Sequence, residues 1–298
     1  MMSQIKAWLD LLRLHFLPAW PAIFCGGLFL GFAVHGGFSL ELAVKAVLIA
    51  VFGFEAGFIL NDLIDVDYDK KDVERDLTKY FRPFHTRPLA AGVISVRSAW
   101  VLFGVFMLIA VGLTLSLPFP HSLCVMVIGL YSLPTEAFYQ LKKRDQNFPW
   151  SQLIGRTDFA LFPVAGYLCV AHPDPTALAI FAFFYPLAEA HLGINDLIDV
   201  KNDQARGMKT IPILFGINGG KAWIAGFSAL HILIAATLLY LFPAVVPAWF
   251  LLGFALIFLA NIICLQERLP IPKLAALPLI HVTMFIYALS LIVQGFGK

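Results

Sequence analysis

Charge is what this chain has least of. Asp, Glu, Lys and Arg make up 13% of its 298 residues against 60% hydrophobic ones, and the mean hydropathy is +0.82. Soluble domains carry about a quarter charged residues, so the shortage excludes a water-soluble fold of this length and leaves a membrane protein. Cysteine is sparse too. Cys25, Cys124, Cys169 and Cys264 each lie inside an apolar run with no CxxC pair or histidine cluster nearby, and they read as free core thiols, which excludes a disulfide framework and a zinc site. No small-residue cleavage site follows the lead Lys6, Trp8, Asp10 and Arg13. That lead reads as an amphipathic cytoplasmic segment, and the first hydrophobic stretch is expected to stay in the mature protein.

Crossing the hydrocarbon takes about 20 apolar residues in a helix. By that measure the chain holds nine spans, near residues 14–34, 40–64, 96–117, 119–140, 151–171, 175–199, 219–241, 244–264 and 274–295. The turns on one side are short and built of breakers: His35-Gly36-Gly37, Pro118-Phe119-Pro120, His172 to Pro175, and Pro243 to Pro247. Those on the other side are longer and charged. Of the 21 Lys and Arg, only Lys45 and Lys298 fall on the short-turn side. The positive-inside rule therefore predicts an N-terminus and long loops in the cytoplasm, and the odd span count predicts a C-terminus outside.

One phrase occurs twice. Asn-Asp-Leu-Ile-Asp-Val-Asp-Tyr-Asp runs from Asn61 to Asp69, and Asn-Asp-Leu-Ile-Asp-Val-Lys-Asn-Asp from Asn195 to Asp203, each preceded by a Glu-Ala pair at Glu55 and Glu189. On a helix each residue turns about 100°, so with Asn61 at 0°, Asp65 falls near ~40°, Asp69 near ~80°, Asp62 near ~100° and Glu55 near ~120°. A single face carries the oxygens. Carboxylates four residues apart repel by a few tenths of a kcal/mol, so the face calls for a cation, and removing one carboxylate is expected to relieve strain in the metal-free protein. Oxygen-only ligands point to Mg²⁺, which takes one or two carboxylates per element and completes its shell with water and phosphate oxygens. Two such faces turned together could hold Mg²⁺ ions around one diphosphate. A solvated acidic helix end would explain one motif alone, and the near-verbatim repetition argues against it.

Both motifs sit at the cytoplasmic end of the second span of a group. The expected architecture is therefore all-α and polytopic, a single transmembrane domain over residues 1–298, with pseudo-repeats at about 14–140 and 151–264, a ninth helix at 274–295, and a central cavity between the halves.

These residues resemble the UbiA superfamily of intramembrane prenyltransferases. Its NDxxDxxxD motif matches Asn61, Asp62, Asp65 and Asp69, and its DxxxD motif matches Asp199 and Asp203. Arg87-Pro88-Leu89-Ala90-Ala91-Gly92 is similar to its RPL-x-x-G loop, and Gly207 to Pro212 to its G-x-K-T-[LI]-P continuation. Arg13 with Pro18 resembles the opening of its first helix, and Tyr131-Ser132 with Lys142-Lys143-Arg144 its YS...LKR segment.

The resemblance implies nine helices around a central cavity and Mg²⁺-dependent transfer of a prenyl group from a polyprenyl diphosphate to an aromatic or lipid-like acceptor. It assigns Asn61, Asp65, Asp69, Asp199 and Asp203 to the metal, with Asp62 and Asp196 beside them. Asp65, Asp199, Arg87 and Lys209 are then the expected catalytic set, with Arg87 and Lys209 as cations for the diphosphate and Arg13, Tyr131, Tyr139, Lys142 and Lys143 as further substrate contacts. Aromatic faces at Phe58, Tyr131, Tyr139, Phe159 and Phe162 could stabilise an allylic cation. Glu55, Glu189 and Asp158 are ionisable residues inside spans, expected to orient the motifs or to deprotonate the acceptor, with His15 and His191 as possible helpers. Arg75, Lys79 and Arg82 read as positive-inside residues at lipid headgroups. The expected partners are the diphosphate donor, the acceptor and the bilayer, with no nucleic acid. Two other readings stand beside this one: a terpene cyclase on the same scaffold and a cation or proton transporter.

Overall fold

The computed structural model describes residues 2–241 and 249–296. In chain order its α-helices are α1 (Met2–Leu11), α2 (Ala19–His35), α3 (Leu40–Asp69), α4 (Asp76–Phe81), α5 (Val96–Leu115), α6 (His121–Lys142), α7 (Trp150–Gly155), α8 (Thr157–Leu168), α9 (Pro175–Ile198), α10 (Val200–Arg206), α11 (Ile211–Leu241), α12 (Phe250–Leu265) and α13 (Ala276–Phe296). No strand occurs among the described residues. Side-chain caps set several starts: the Ser39 hydroxyl accepts from Leu42 N at 3.2 Å, and the Asp174 carboxylate from Ala177 N at 2.9 Å with Pro175 in the first turn.

Seven helices among the described residues are long and apolar enough to cross a membrane. The count of nine differs at two places. The span expected at 151–171 is broken at Arg156 into α7 and α8. The one expected at 244–264 appears from Phe250 onward, while its start, the Pro243 to Pro247 turn and Lys298 lie outside the described residues. In α11 a further break falls at Gly216, whose φ of 71° lies in the left-handed region open to glycine, so the continuous span begins after it, near the expected residue 219. Outward faces carry exposed Val101, Leu108, Leu178, Leu233 and Val293, as lipid contact requires.

The closest helix crossing joins α2 to α8. A Cβ on Gly27 would stand 1.8 Å from Pro163 O, and one on Gly166 would stand 1.9 Å from Phe24 O, so the backbones touch through reciprocal glycines. Small residues are the usual means of close helix approach where lipid tails leave no hydrophobic drive between helices. α13 packs along α2, α9 along α11, and α3 along α5. Around these contacts lies a cavity of about 400 Å³, walled by α2 to α6 and α8 to α10.

A candidate prenyl diphosphate site

The cavity has a polar end and an apolar end. Asn61, Asp65 and Asp69 line it from α3, and Asp196, Asp199 and Asp203 from α9 and α10. The lining face of α3 stops short of Asp62 and Glu55, the two residues placed farthest round the helix. Farther along the wall stand Trp20, Phe24, Phe54, Phe58, Phe159 and Phe162.

The motif carboxylates hold basic side chains of the protein itself. Lys143 Nζ lies 2.7 Å from Asp65 Oδ2 and Arg144 Nη2 lies 3.0 Å from Asp65 Oδ1. Arg87 bridges Asp69 at 2.7 Å and Asp72 at 2.8 Å. Arg206 joins the two motifs, reaching Asp69 Oδ1 at 3.4 Å and Asp199 Oδ2 at 3.3 Å while also binding Asp72. The expectation that losing a carboxylate relieves strain is therefore corrected: repulsion along the face is already offset, and a lost acid leaves a cation unpaired.

Breaks in the helices aim these groups. α9 gives way to α10 at Asp199, whose backbone (φ −89°, ψ 9°) lies in the bridge region. α10 ends at Gly207 with φ 75°. The break at Arg156 sets its guanidinium over the Tyr139 ring at 4.6 Å, beside Asp158 and Glu136. Asn202 of the second motif ties down the loop after the first: its Oδ1 accepts from Val73 N at 2.9 Å and Glu74 N at 2.8 Å, while its Nδ2 donates to Asp199 Oδ1 at 2.6 Å. Burial and the neighbouring Asp199 push the Asp203 carboxyl up to about 7. Burial also raises Asp199, and the carboxylates of Asp69 and Asp72 raise Arg87 against the opposing effect of burial.

Other expected residues fall elsewhere. Asp62 is buried behind the lining, gripped by Arg82 at 2.7 Å and Arg13 at 3.0 Å. Arg82 is therefore no headgroup residue. It is 2% exposed and also donates to Asp10 O at 2.7 Å, whose carboxylate in turn receives Phe84 N and Thr86 N. The Lys209 side chain is exposed and absent from the lining; its backbone N instead donates to Lys143 O at 2.6 Å. Lys142 and Tyr131 do not line the cavity either, and the Tyr131 hydroxyl pairs with Thr157 at 2.7 Å. Tyr139, Lys143 and Arg13 do line it, with Arg13 over the Phe58 ring at 4.1 Å. Glu55 and Glu189 are buried outside the lining, whereas Asp158 and His191 are part of it. Sequence reasoning passed over Arg206, Arg156, Asp72 and Glu136, and gave Arg144 no role although it stands in the Lys142-Lys143-Arg144 segment. For Arg206 one signal was available, its position three residues after Asp203, nearly one helical turn.

The comparisons with known proteins agree with this geometry. Residues 19–289 match the UbiA prenyltransferase family. The chain belongs to that family. It is 30% identical over 78% of its length to 77% of a digeranylgeranylglyceryl phosphate synthase of Natronomonas pharaonis. It is 28% identical over 72% of its length to 70% of a 4-hydroxybenzoate octaprenyltransferase of Coxiella burnetii. An apo UbiA homologue from Aeropyrum pernix superposes with a TM-score of 0.75 at 19% identity, covering 94% of this chain and 97% of that one. A UbiA homologue from Archaeoglobus fulgidus bound to DMAPP and Mg²⁺ superposes with a TM-score of 0.64 at 21% identity, covering 96% and 99%. The UbiA chain described here is thus an integral membrane prenyltransferase, which sets the transporter reading aside.

Donor chemistry tests the fit of Mg²⁺. Among the described residues no three His, Cys, Asp or Glu side chains form a ready metal cage. Mg²⁺ seldom uses one, being held by one or two carboxylates with water and substrate phosphate oxygens. Asp65 and Asp69 on one element, with Asp199 and Asp203 on the other, supply that donor set at the cavity's polar end.

Proposed function

We propose that this enzyme transfers the prenyl group of a polyprenyl diphosphate to an aromatic or lipid-like acceptor, with the diphosphate at the cytoplasmic end of the cavity. One observation carries the reading: carboxylates and cations of both motifs meet at the polar end of an aromatic-lined pocket. Asp65, Asp69, Asp199 and Asp203, with Asn61, would hold Mg²⁺, which would neutralise the leaving diphosphate.

Arg87, Arg206 and Lys143 line the cavity and are already paired with these acids, and each can turn its N–H donors to phosphate oxygens as substrate enters, while Arg144 holds Asp65 from outside the lining. Phe58, Phe159, Phe162 and Tyr139 exclude water from the allylic cation and face it with their rings, each worth about 2 kcal/mol when desolvated. The Lys209 side chain has no place in this scheme, and Arg206 takes the part expected of it. The two halves work as one transmembrane domain, with N-terminus and site loops cytoplasmic and C-terminus outside. Names borne by the relatives favour a glycerol-phosphate lipid or a hydroxybenzoate-type ring as acceptor.

The reading is tested by diphosphate release and acceptor prenylation in nanodiscs. Both are expected to require Mg²⁺ and to vanish with EDTA. Full turnover in excess EDTA would refute it.

A further inference from the structure

We propose that Gly57, Gly53 and Ile49 of α3 form a ruler that fits the donor's prenyl chain at about four isoprene units, an inference that rests on the transfer reading above. The cavity follows one ridge of α3, in which every fourth residue from Ile49 to Asp69 belongs to its lining: Asp69, Asp65 and Asn61 at the polar end, then Gly57, Gly53 and Ile49. Residues four apart lie one above another on a helix, so the acidic stripe continues straight into a glycine stripe.

Glycine weakens a helix interior, and in a membrane its usual use is close helix packing, as at Gly27 and Gly166. The ridge glycines make no such contact. A Cβ on Gly53 or Gly57 would meet no atom within 4 Å, and the same holds for Gly129, which lines the cavity from α6. The missing side chains leave a trench open. The aromatic wall does not fill it, because Phe54 and Phe58 sit about 100° round α3 from the glycines, with Phe54 stacked on Trp20 at 4.7 Å and edge-on to Phe162 at 4.7 Å.

The trench also has a floor. Ile49 of α3, Thr114 of α5 and Val125 of α6 are the lining residues nearest the outer ends of their helices, and all three are buried. At about 1.5 Å per residue the ridge drops about 18 Å from Asn61 to Ile49 and about 24 Å from Asp65 to Ile49. An extended isoprene unit has four backbone bonds of about 1.5 Å and advances about 5 Å. With its diphosphate at the motif acids, a four-unit chain of about 20 Å therefore reaches the floor. An eight-unit chain of about 40 Å exceeds even the hydrocarbon core, which is about 30 Å thick.

Leucine substitutions read the ruler, since a helical side chain leans toward the N-terminus of its helix, here the deeper end of the trench. Gly53→Leu places its side chain about 12 Å below Asn61, beyond a two-unit chain of about 10 Å, whereas Gly57→Leu intrudes at about 6 Å, within it. Binding in nanodiscs with Mg²⁺ would be measured for non-ionising thiolodiphosphate analogues of two, four, five and eight isoprene units. Comparing variant with parent for each ligand cancels its partition into lipid. Gly53→Leu is expected to raise the ratio of four-unit to two-unit Kd at least about ten-fold, and Gly57→Leu to weaken both ligands. Ile49→Ala lowers the floor and should tighten the five-unit analogue at least about three-fold. A ratio unmoved by Gly53→Leu, no gain of the five-unit analogue in Ile49→Ala, or an eight-unit analogue that the parent binds as tightly as the four-unit one at equal mole fraction in the bilayer would each overturn the ruler, while Mg²⁺-dependent binding of the short analogues would still support the transfer reading. Absence of Mg²⁺-dependent binding of every analogue to the parent protein would overturn both.

Discussion

Arg206→Met removes the side chain that links the two motifs. Arg206 is 6% exposed and touches Asp69, Asp72 and Asp199, so the variant leaves carboxylates facing one another in a buried pocket. Breaking a buried ion pair by removing one partner costs about 3–5 kcal/mol. Here the lower end applies, because Asp69 and Asp72 keep Arg87 at 2.7 and 2.8 Å and Asp199 keeps Asn202 at 2.6 Å. A loss of about 3 kcal/mol corresponds to a fall in Tm of about 6 °C for a chain of this size. Mg²⁺ should return most of it, since Asp69 and Asp199 are among the ligands proposed for it and binding stabilises the folded state by mass action. Thermal unfolding in detergent, with EDTA and with millimolar Mg²⁺, reads both effects. An unchanged Tm in EDTA would refute the bridging role of Arg206, and a loss that Mg²⁺ leaves untouched would refute metal binding by these acids.

Asp65→Asn and Asp199→Asn should each remove most of the turnover, and the double variant should be about as slow as the worse single, because the proposed mechanism has both motifs serve one diphosphate; strictly multiplicative losses would indicate two sites. Asp65→Asn should also lower the metal-free Tm, since Lys143 and Arg144 lose their shared partner. Gly27→Val should prevent folding or cost several kcal/mol, because its Cβ alone would stand 1.8 Å from Pro163 O; normal yield and Tm would disprove the glycine crossing. A cysteine at exposed Lys79 should react with an impermeant thiol reagent only from the cytoplasmic side, and one at Gly36 only from outside, with the opposite pattern reversing the topology.

Low charge and long apolar runs were enough to establish an all-α membrane protein, because a bilayer admits little else for a chain with this pattern. The doubled Asn-Asp-Leu-Ile-Asp phrase likewise marked the acidic site, since helical periodicity alone puts Asn61, Asp65 and Asp69 on one lining face. Which cations meet those acids could not be read the same way. Lys209 lies within the Gly207 to Pro212 phrase yet projects to the surface, while Arg206 and Arg82 are buried against carboxylates. Those outcomes depend on where a helix breaks: Asp199 and Arg156 sit at interruptions that no periodic pattern marks, and each re-aims a side chain. The pairing of His191 with His281, 90 residues apart, is likewise a product of α9 meeting α13. Local periodicity determines which face of a helix is polar, and only the packing of one helix against another decides what that face touches.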